Sequence, residues 1–288
     1  MIRPALLLVL LAALCQVPCS AYSAEEAKPA AAVPAAPAPS APTARPGQPE
    51  PLKQFLPPAP AGQQWKIIWQ DEFDGTKIDP SKWEVIGDIK RRDAFWVKAD
   101  AFLDGESHLV LRTRQDGSRY TSGAVRTRGK FEHHFGYYEC RCRFGTQPGH
   151  WPAFWLMSPS VGRVGDEGRD GTEIDIMEKP WLTDQINYAL HWDGYGKDHK
   201  SKGLKVSIPG ISQGWHTFGL LWKSDEYVFY IDGKETWRTS AGGVSQVDAY
   251  IKLTEEFGNW GGDVTKARLP DTFTVDYVRV FDLVEAKK

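Results

Sequence analysis

The 288 residues carry 35 Lys and Arg against 37 Asp and Glu, a formal net charge of −2, which excludes a strongly basic chain and gives no reason to expect a nucleic-acid or anionic-membrane partner. Such a length admits one large domain or two small ones. Aromatic side chains make up 12% of the chain, twelve of them Trp, and their placement carries more information than their number.

At the N-terminus Arg3 precedes an apolar run from Ala5 to Leu14, and small residues follow through Ala24. The run is too short to span a bilayer and reads as a secretory signal over residues 1–23, cleaved after Ala21 or Ser23. Cys15 and Cys19 follow Leu14 and Pro18 rather than a small residue, which argues against lipid attachment. An exported protein, extracellular or periplasmic, is expected, without a membrane span. Residues 24–62 hold eleven of the twenty prolines and no Trp. Such a stretch cannot bury enough apolar area to offset its ordering entropy, so a disordered linker is predicted. The folded domain then occupies residues 63–288, and a monomer is expected.

Within it, Trp65–Trp69 reads as a first strand, followed by turn-rich Asp71–Gly75. The stretch 107–114 (SHLVLRTR) alternates and ends in a turn signal, Gln115-Asp116-Gly117-Ser118. Residues 136–144 (GYYECRCRF) alternate too; 226–237 (EYVFYIDGKETW) is a hairpin around Asp232-Gly233; 273–281 (FTVDYVRVF) closes the domain. No amphipathic helix is legible between Gln63 and Val284. Many short strands with Gly, Asp and Pro turns predict an all-β fold, an antiparallel jelly-roll β-sandwich. Cys140 and Cys142, two apart on one strand, are poorly placed to bridge each other and are expected as small apolar side chains between the sheets.

The richest stretch is Gly171 to Pro180, with Glu173, Asp175 and Glu178 separated by large apolar residues. On a strand Glu173 and Asp175 share one face and Ile174 and Ile176 the other, which leaves Glu178 on the wrong side. One extra residue near Ile176-Met177, a β-bulge, returns Glu178 to the face of the other two acids. A solvated acidic strand, a divalent-metal site and a carboxylate pair for glycoside chemistry all remain open. The third needs side chains that lean together, because the Cα atoms would be about 13 Å apart and a retaining pair works at about 5–5.5 Å. Aromatic residues surround the acids: Trp151 and Trp155 before them, Trp181 and Trp192 after them, and Trp260 in a Gly-rich loop. Exposed Trp faces stack on sugar rings; Trp155, Trp192 and Trp260 are expected in a cleft, and Trp65, Trp215 and Trp222 in the core.

Taken together, EIDIME (173–178), WPAFWLM (151–157), YALHW (188–192), the stretch 215–233, the opening WQDEFDG (69–75) and the closing DYVRVF (276–281) resemble glycoside hydrolase family 16 over nearly all of 63–284. The resemblance implies a concave sheet crossed by a substrate cleft and retaining endo-hydrolysis of a β-linked polysaccharide, with no cofactor for catalysis. Glu173 takes the nucleophile's position and Glu178 that of the acid/base, its pKa raised by Glu173 and Asp175. Asp175 positions Glu173, and His191 is expected as a partner of Glu178. The bulged spacing is similar to that of laminarinases, agarases and carrageenases. The family often carries a structural Ca²⁺, for which Glu72 and Asp276 occupy matching positions. A laminarin-like β-1,3 or β-1,4 glucan is the first expectation for substrate. Between Ser160 and Thr172, however, a polar loop with Arg163 and Arg169 stands where laminarinase-like members tend to carry a Gly-Trp-Pro stretch. Arginines beside the cleft favour an anionic sugar, as in agar-, porphyran- or carrageenan-type galactans. A transglycosylase, or a sandwich that binds carbohydrate without cleaving it, are the rival readings.

Overall fold

The computed structural model describes residues 55–286; the expected signal segment and the linker up to residue 54 lie outside them. Two sheets face each other, as alternation with period two requires of strands that bury one side only. The outer sheet has eleven strands, in the order Lys234–Thr239, Tyr227–Ile231, His216–Trp222, Gly136–Arg143, Asp271–Glu285, Leu109–Asp116, Arg119–Ser122, Ala94–Trp96 and Ile89–Arg91. Gln63–Asp71 also pairs with the fifteen-residue strand Asp271–Glu285, and Ala101–Leu103 with Leu109–Asp116. The inner sheet has eight strands: Lys200–Ser207, Gln185–Trp192, Thr172–Glu178, His150–Met157, Ala249–Phe257, Ala124–Arg126 and Glu84–Val85, with Glu132–His133 alongside Ala249–Phe257. Among the described residues the only helical segments are three short 3-10 turns, so the all-β prediction holds.

Between the sheets lies one large apolar cluster that includes Cys140, Cys142, Phe154, Leu156, Ile174, Leu190, Phe218 and Trp222. Burying each large side chain contributes roughly 1.5–3 kcal/mol. Both cysteines are free and buried, as expected. The Asp232-Gly233 hairpin is a two-residue turn joining Ile231 to Lys234. Both turn residues have positive φ, 47° and 74°, matching the right-handed twist of the strands they connect.

Three expectations change. Of the tryptophans assigned to the core, only Trp222 lies in it. Trp65 is half-buried on the other side of the outer sheet, its Nε1 donating to the Pro57 carbonyl at 2.7 Å. Trp215 lies against outward-facing Arg141 and Arg143, 5.1 and 4.9 Å from its ring centre, with His108 stacked on it. The predicted linker also ends earlier than Gly62. Pro57 is buried, and the Tyr137 hydroxyl donates to the Phe55 carbonyl.

Candidate active site

The strand Thr172–Glu178 lies inside the inner sheet, and its pairing shows the bulge directly. Against His150–Met157, Ala153 stands opposite Glu178 and Phe154 opposite Met177, but Trp155 stands opposite Asp175, so Ile176 has no partner. Against Gln185–Trp192 the same irregularity falls between Asp175 and Glu178. Ile176 and Met177 are consecutive yet both enter the apolar cluster. That doubled inward step turns Glu178 back to the face of Glu173 and Asp175. The three acids line one groove of about 280 Å³, together with Arg91, Arg92, Trp151, Trp155, Tyr195, Lys252 and Glu256.

Cross-strand register sets the groove's floor in rows perpendicular to the strands. One row runs Lys205, Asn187, Glu178, Ala153, Thr254; the next runs Gly203, Ala189, Asp175, Trp155, Lys252, Arg126; a third runs Ser201, His191, Glu173, Met157, Tyr250. Small residues sit on either side of the acids, Ala153 beside Glu178 and Ala189 with Gly203 beside Asp175. This leaves room for a chain laid along the rows.

Glu178 is 7% exposed and accepts hydrogen bonds from Trp151 Nε1 at 2.7 Å and Asn187 Nδ2 at 2.8 Å. Burial is the main cause that lifts its pKa to about 7; the two donors oppose the rise, and the Glu173 charge adds to it. The like-charge effect expected from the sequence is therefore secondary to desolvation. Glu173 is raised by burial, and this is opposed first by the Tyr195 hydroxyl, which donates to its Oε2, and then by Lys252 and Arg91. Asp175 is pushed well above the carboxylate range by burial and by the charges of Glu178 and Glu173. Burial is thus the first cause of a raised pKa in all three acids, and the hydrogen-bond donors that oppose it differ: Tyr195 at Glu173, Asn187 and Trp151 at Glu178.

Tyr195 was not anticipated; it lies in the turn after His191-Trp192, where no pattern marks it. Because its hydroxyl favours the ionised form of Glu173, Tyr195→Phe should move the acidic limb of the pH–activity profile upward. That shift is measurable as kcat/KM against pH with either protonation state of the substrate unchanged.

The other anticipated residues divide. Trp151 and Trp155 line the groove. Trp151 continues into a cluster with Trp260, ring centres 4.3 Å apart, and Trp260 meets Trp181 at 5.4 Å. Lys205 stands 3.7 Å over Trp181. Trp192 is not in the groove. It follows His191 on the strand, so it points to the opposite face and joins the apolar core. His191 stands opposite Glu173, and the partner opposite Glu178 is Asn187. His191 Nε2 is 3.6 Å from Asp175 and its Nδ1 is 2.9 Å from His199 Nε2. Burial and His199 lower its pKa to about 4, which leaves it neutral. Arg163 and Arg169 are exposed and do not line the groove; Arg169 pairs with Asp166 and Glu167 on its own loop. The cations that reach the groove are Arg91, Arg92 and Lys252.

The carboxylates matched to calcium are used otherwise. Arg279 donates to both oxygens of Glu72, at 2.7 and 3.0 Å, and Arg141 donates to Asp276 at 2.6 Å. Each faces a guanidinium where a metal would have to sit, so the pair does not fit a Ca²⁺ site. Among the described residues, ligand atoms of Glu173, Asp175 and His191 lie within 4.8 Å of one another, a grouping that the acids' place in the groove explains.

A half-buried and a buried glutamate on one face of a bulged strand, in a groove on the inner sheet of a sandwich and edged by indole rings, define a class: the β-sandwich glycoside hydrolases. The chain belongs to glycosyl hydrolases family 16, whose profile matches residues 90–279. It is 30% identical over 77% of its length to a keratan-sulfate endo-1,4-beta-galactosidase of Sphingobacterium multivorum, of which it spans 56%. It is 26% identical to beta-porphyranase B of Zobellia galactanivorans, covering 78% of this chain and 87% of that protein. Among solved structures, the laminarinase catalytic domain of Thermotoga maritima MSB8 superposes with a TM-score of 0.63 at 28% identity, covering 76% of this chain and 98% of that one.

Proposed function

We propose that the chain is an exported, endo-acting, retaining β-glycanase that cuts β-1,3 or β-1,4 linkages within a polysaccharide. The observation that carries this reading is the bulge, which unites Glu173 and Glu178 on one groove face while burial keeps Glu178 protonated up to about pH 7. Glu173, ionised and oriented by Tyr195, attacks the anomeric carbon. Glu178 gives its proton to the leaving oxygen, then takes one from the water that opens the glycosyl-enzyme. Asp175 lies between the two, and its raised pKa, caused first by burial, favours its neutral form. A module that only binds glycan has no use for an acid poised in this way.

A laminarin-type β-glucan is one candidate chain. A β-galactan is the second, favoured by the three cations in the groove and by the likeness to proteins named for keratan sulfate and porphyran. The test is a panel of laminarin, mixed-linkage glucan, agarose, porphyran, carrageenan and β-galactan. Products are sized by chromatography, and the first-formed anomer is read by NMR. Mixed-length oligosaccharides with the β-anomer first are expected; single-sugar release or the α-anomer first would overturn the reading.

Above pH 7 kcat/KM should fall about tenfold per unit as Glu178 loses its proton. Trp151→Phe removes a donor that stabilises the ionised carboxylate, so the alkaline limb should move to higher pH. A limb that stayed in place or moved down would contradict the assigned hydrogen bond.

A further inference from the structure

The cations in and beside the groove are not equivalent. Arg126, at the end of the row through Asp175, is tied to both oxygens of Glu84 at 2.7 and 2.9 Å. Arg91 donates to Glu256 and lies over Trp96. Arg92 is exposed, at the tip of the hairpin Ile89–Trp96, with its guanidinium over Trp151. Lys252 differs from all of these. It is 7% exposed and lines the groove beside Trp155. Its Nζ stands 3.7 Å from the centre of the Trp155 ring and 5.4 Å from that of Trp96. Among the described residues it has neither a hydrogen-bond acceptor nor an ion-pair partner.

An ammonium on a largely buried side chain, without an acceptor, is costly. The two indole faces attract it, which offsets part of that cost. After burial, repulsion from Arg91 is the next cause that lowers the Lys252 pKa to about 7, and the Glu173 and Glu256 charges oppose it. The charges facing Nζ are Arg91, Glu173, Glu256 and Arg126; Arg91 and Glu256 pair with each other and Arg126 pairs with Glu84, and Glu173 is held by Tyr195. Lys252 is therefore the cation here without a carboxylate of its own; a sugar hydroxyl would supply it an acceptor, and an anion would supply both the acceptor and the countercharge.

We propose that the glycan unit seated on Trp155 carries an anionic substituent, a sulfate hemiester or a uronate carboxylate, which accepts hydrogen bonds from Lys252 Nζ with the Arg91 guanidinium alongside. The proposal rests on the endo-glycanase reading for the chain that bears the anion, not for the anion's recognition.

Binding is measured by titration calorimetry on the full chain carrying Glu173→Gln. The ligands are size-fractionated oligosaccharides of a sulfated galactan, its desulfated form, a uronate-bearing glycan and its carboxyl-reduced form. In one pair the anionic member should bind at least about tenfold more tightly than its neutral counterpart, as a charged hydrogen bond warrants. The pair that shows the preference identifies sulfate or carboxylate. Adding Lys252→Met should bring that ratio close to one, and Lys252→Arg should restore part of it. Equal binding or none in both pairs overturns the proposal, as does a preference that survives Lys252→Met. Lys252→Met should melt at or above the wild-type temperature, since Met fills similar volume without a charge to desolvate; a clear fall would assign the ammonium to the fold and overturn the proposal. If the preference is found but wild-type enzyme cuts neither member, the glycanase reading falls and the anion site stands. If wild-type enzyme cuts both members equally well, the anion site falls and the glycanase reading stands.

Discussion

Glu173→Ala should lower turnover on the order of 10⁴-fold, about 5.5 kcal/mol of activation barrier, while glycan binding persists. The loss is large because no other carboxylate of the groove is suited to replace it: burial, then the charges of Glu178 and Glu173, push Asp175 toward its neutral form, and Glu178 is the proposed proton donor. The fold should survive, since Glu173 lies on the groove face and contributes nothing to the apolar cluster behind it. The stereochemistry of chemical rescue makes the assignment specific. With an aryl oligosaccharide as substrate, azide can occupy the vacated space and displace the phenol once. One displacement inverts, so the rescued product should be the α-glycosyl azide. A β-azide, or wild-type release of oligosaccharides by the variant, would show that Glu173 is not the nucleophile.

Much of this site was legible because alternation in a β-strand is strict. Glu178 broke it, and the structure accounts for the break with an unpaired Ile176 and two consecutive inward residues. The same rule, applied to His191 and Trp192, would have kept them apart: adjacent residues on a strand cannot both face the groove, and Trp192 went to the core. Three contributors were missed for a different reason. Arg91 and Arg92 come from a hairpin some eighty residues ahead of the acids, and only folding brings them to the rim. Lys252 lies on Ala249–Phe257, in which every residue is buried, because one face packs on the core and the other forms the groove floor. Its signal was nonetheless present, as Tyr250, Lys252, Thr254 and Glu256 alternate with Ile251, Leu253, Glu255 and Phe257. Glu72 and Asp276 were matched to calcium by chain position, which does not show which cation a carboxylate will meet. Each met an arginine from another strand or from its own sheet's centre.

Glu178→Ala should cut hydrolysis of polysaccharide by about 10²–10⁴-fold, the range of a lost general acid, yet spare the first step on aryl glycosides whose phenol leaves without a proton. The second step still needs a base to activate water, so the glycosyl-enzyme should accumulate and give a burst of phenol followed by slow turnover. Azide needs no base and should restore the rate. It attacks an α-linked intermediate, so the product here should be the β-glycosyl azide, opposite in configuration to that from Glu173→Ala. The same variant resolves an ambiguity in the pH profile, because Glu178 and Lys252 both lose a proton at about pH 7. For the first step on an aryl glycoside whose phenol is basic enough to need the proton, the alkaline limb should vanish in Glu178→Ala and persist in Lys252→Met. The reverse pattern would mean that the limb reports loss of the groove's positive charge rather than of the catalytic proton. It would move the source of the pH dependence from leaving-group protonation to substrate binding.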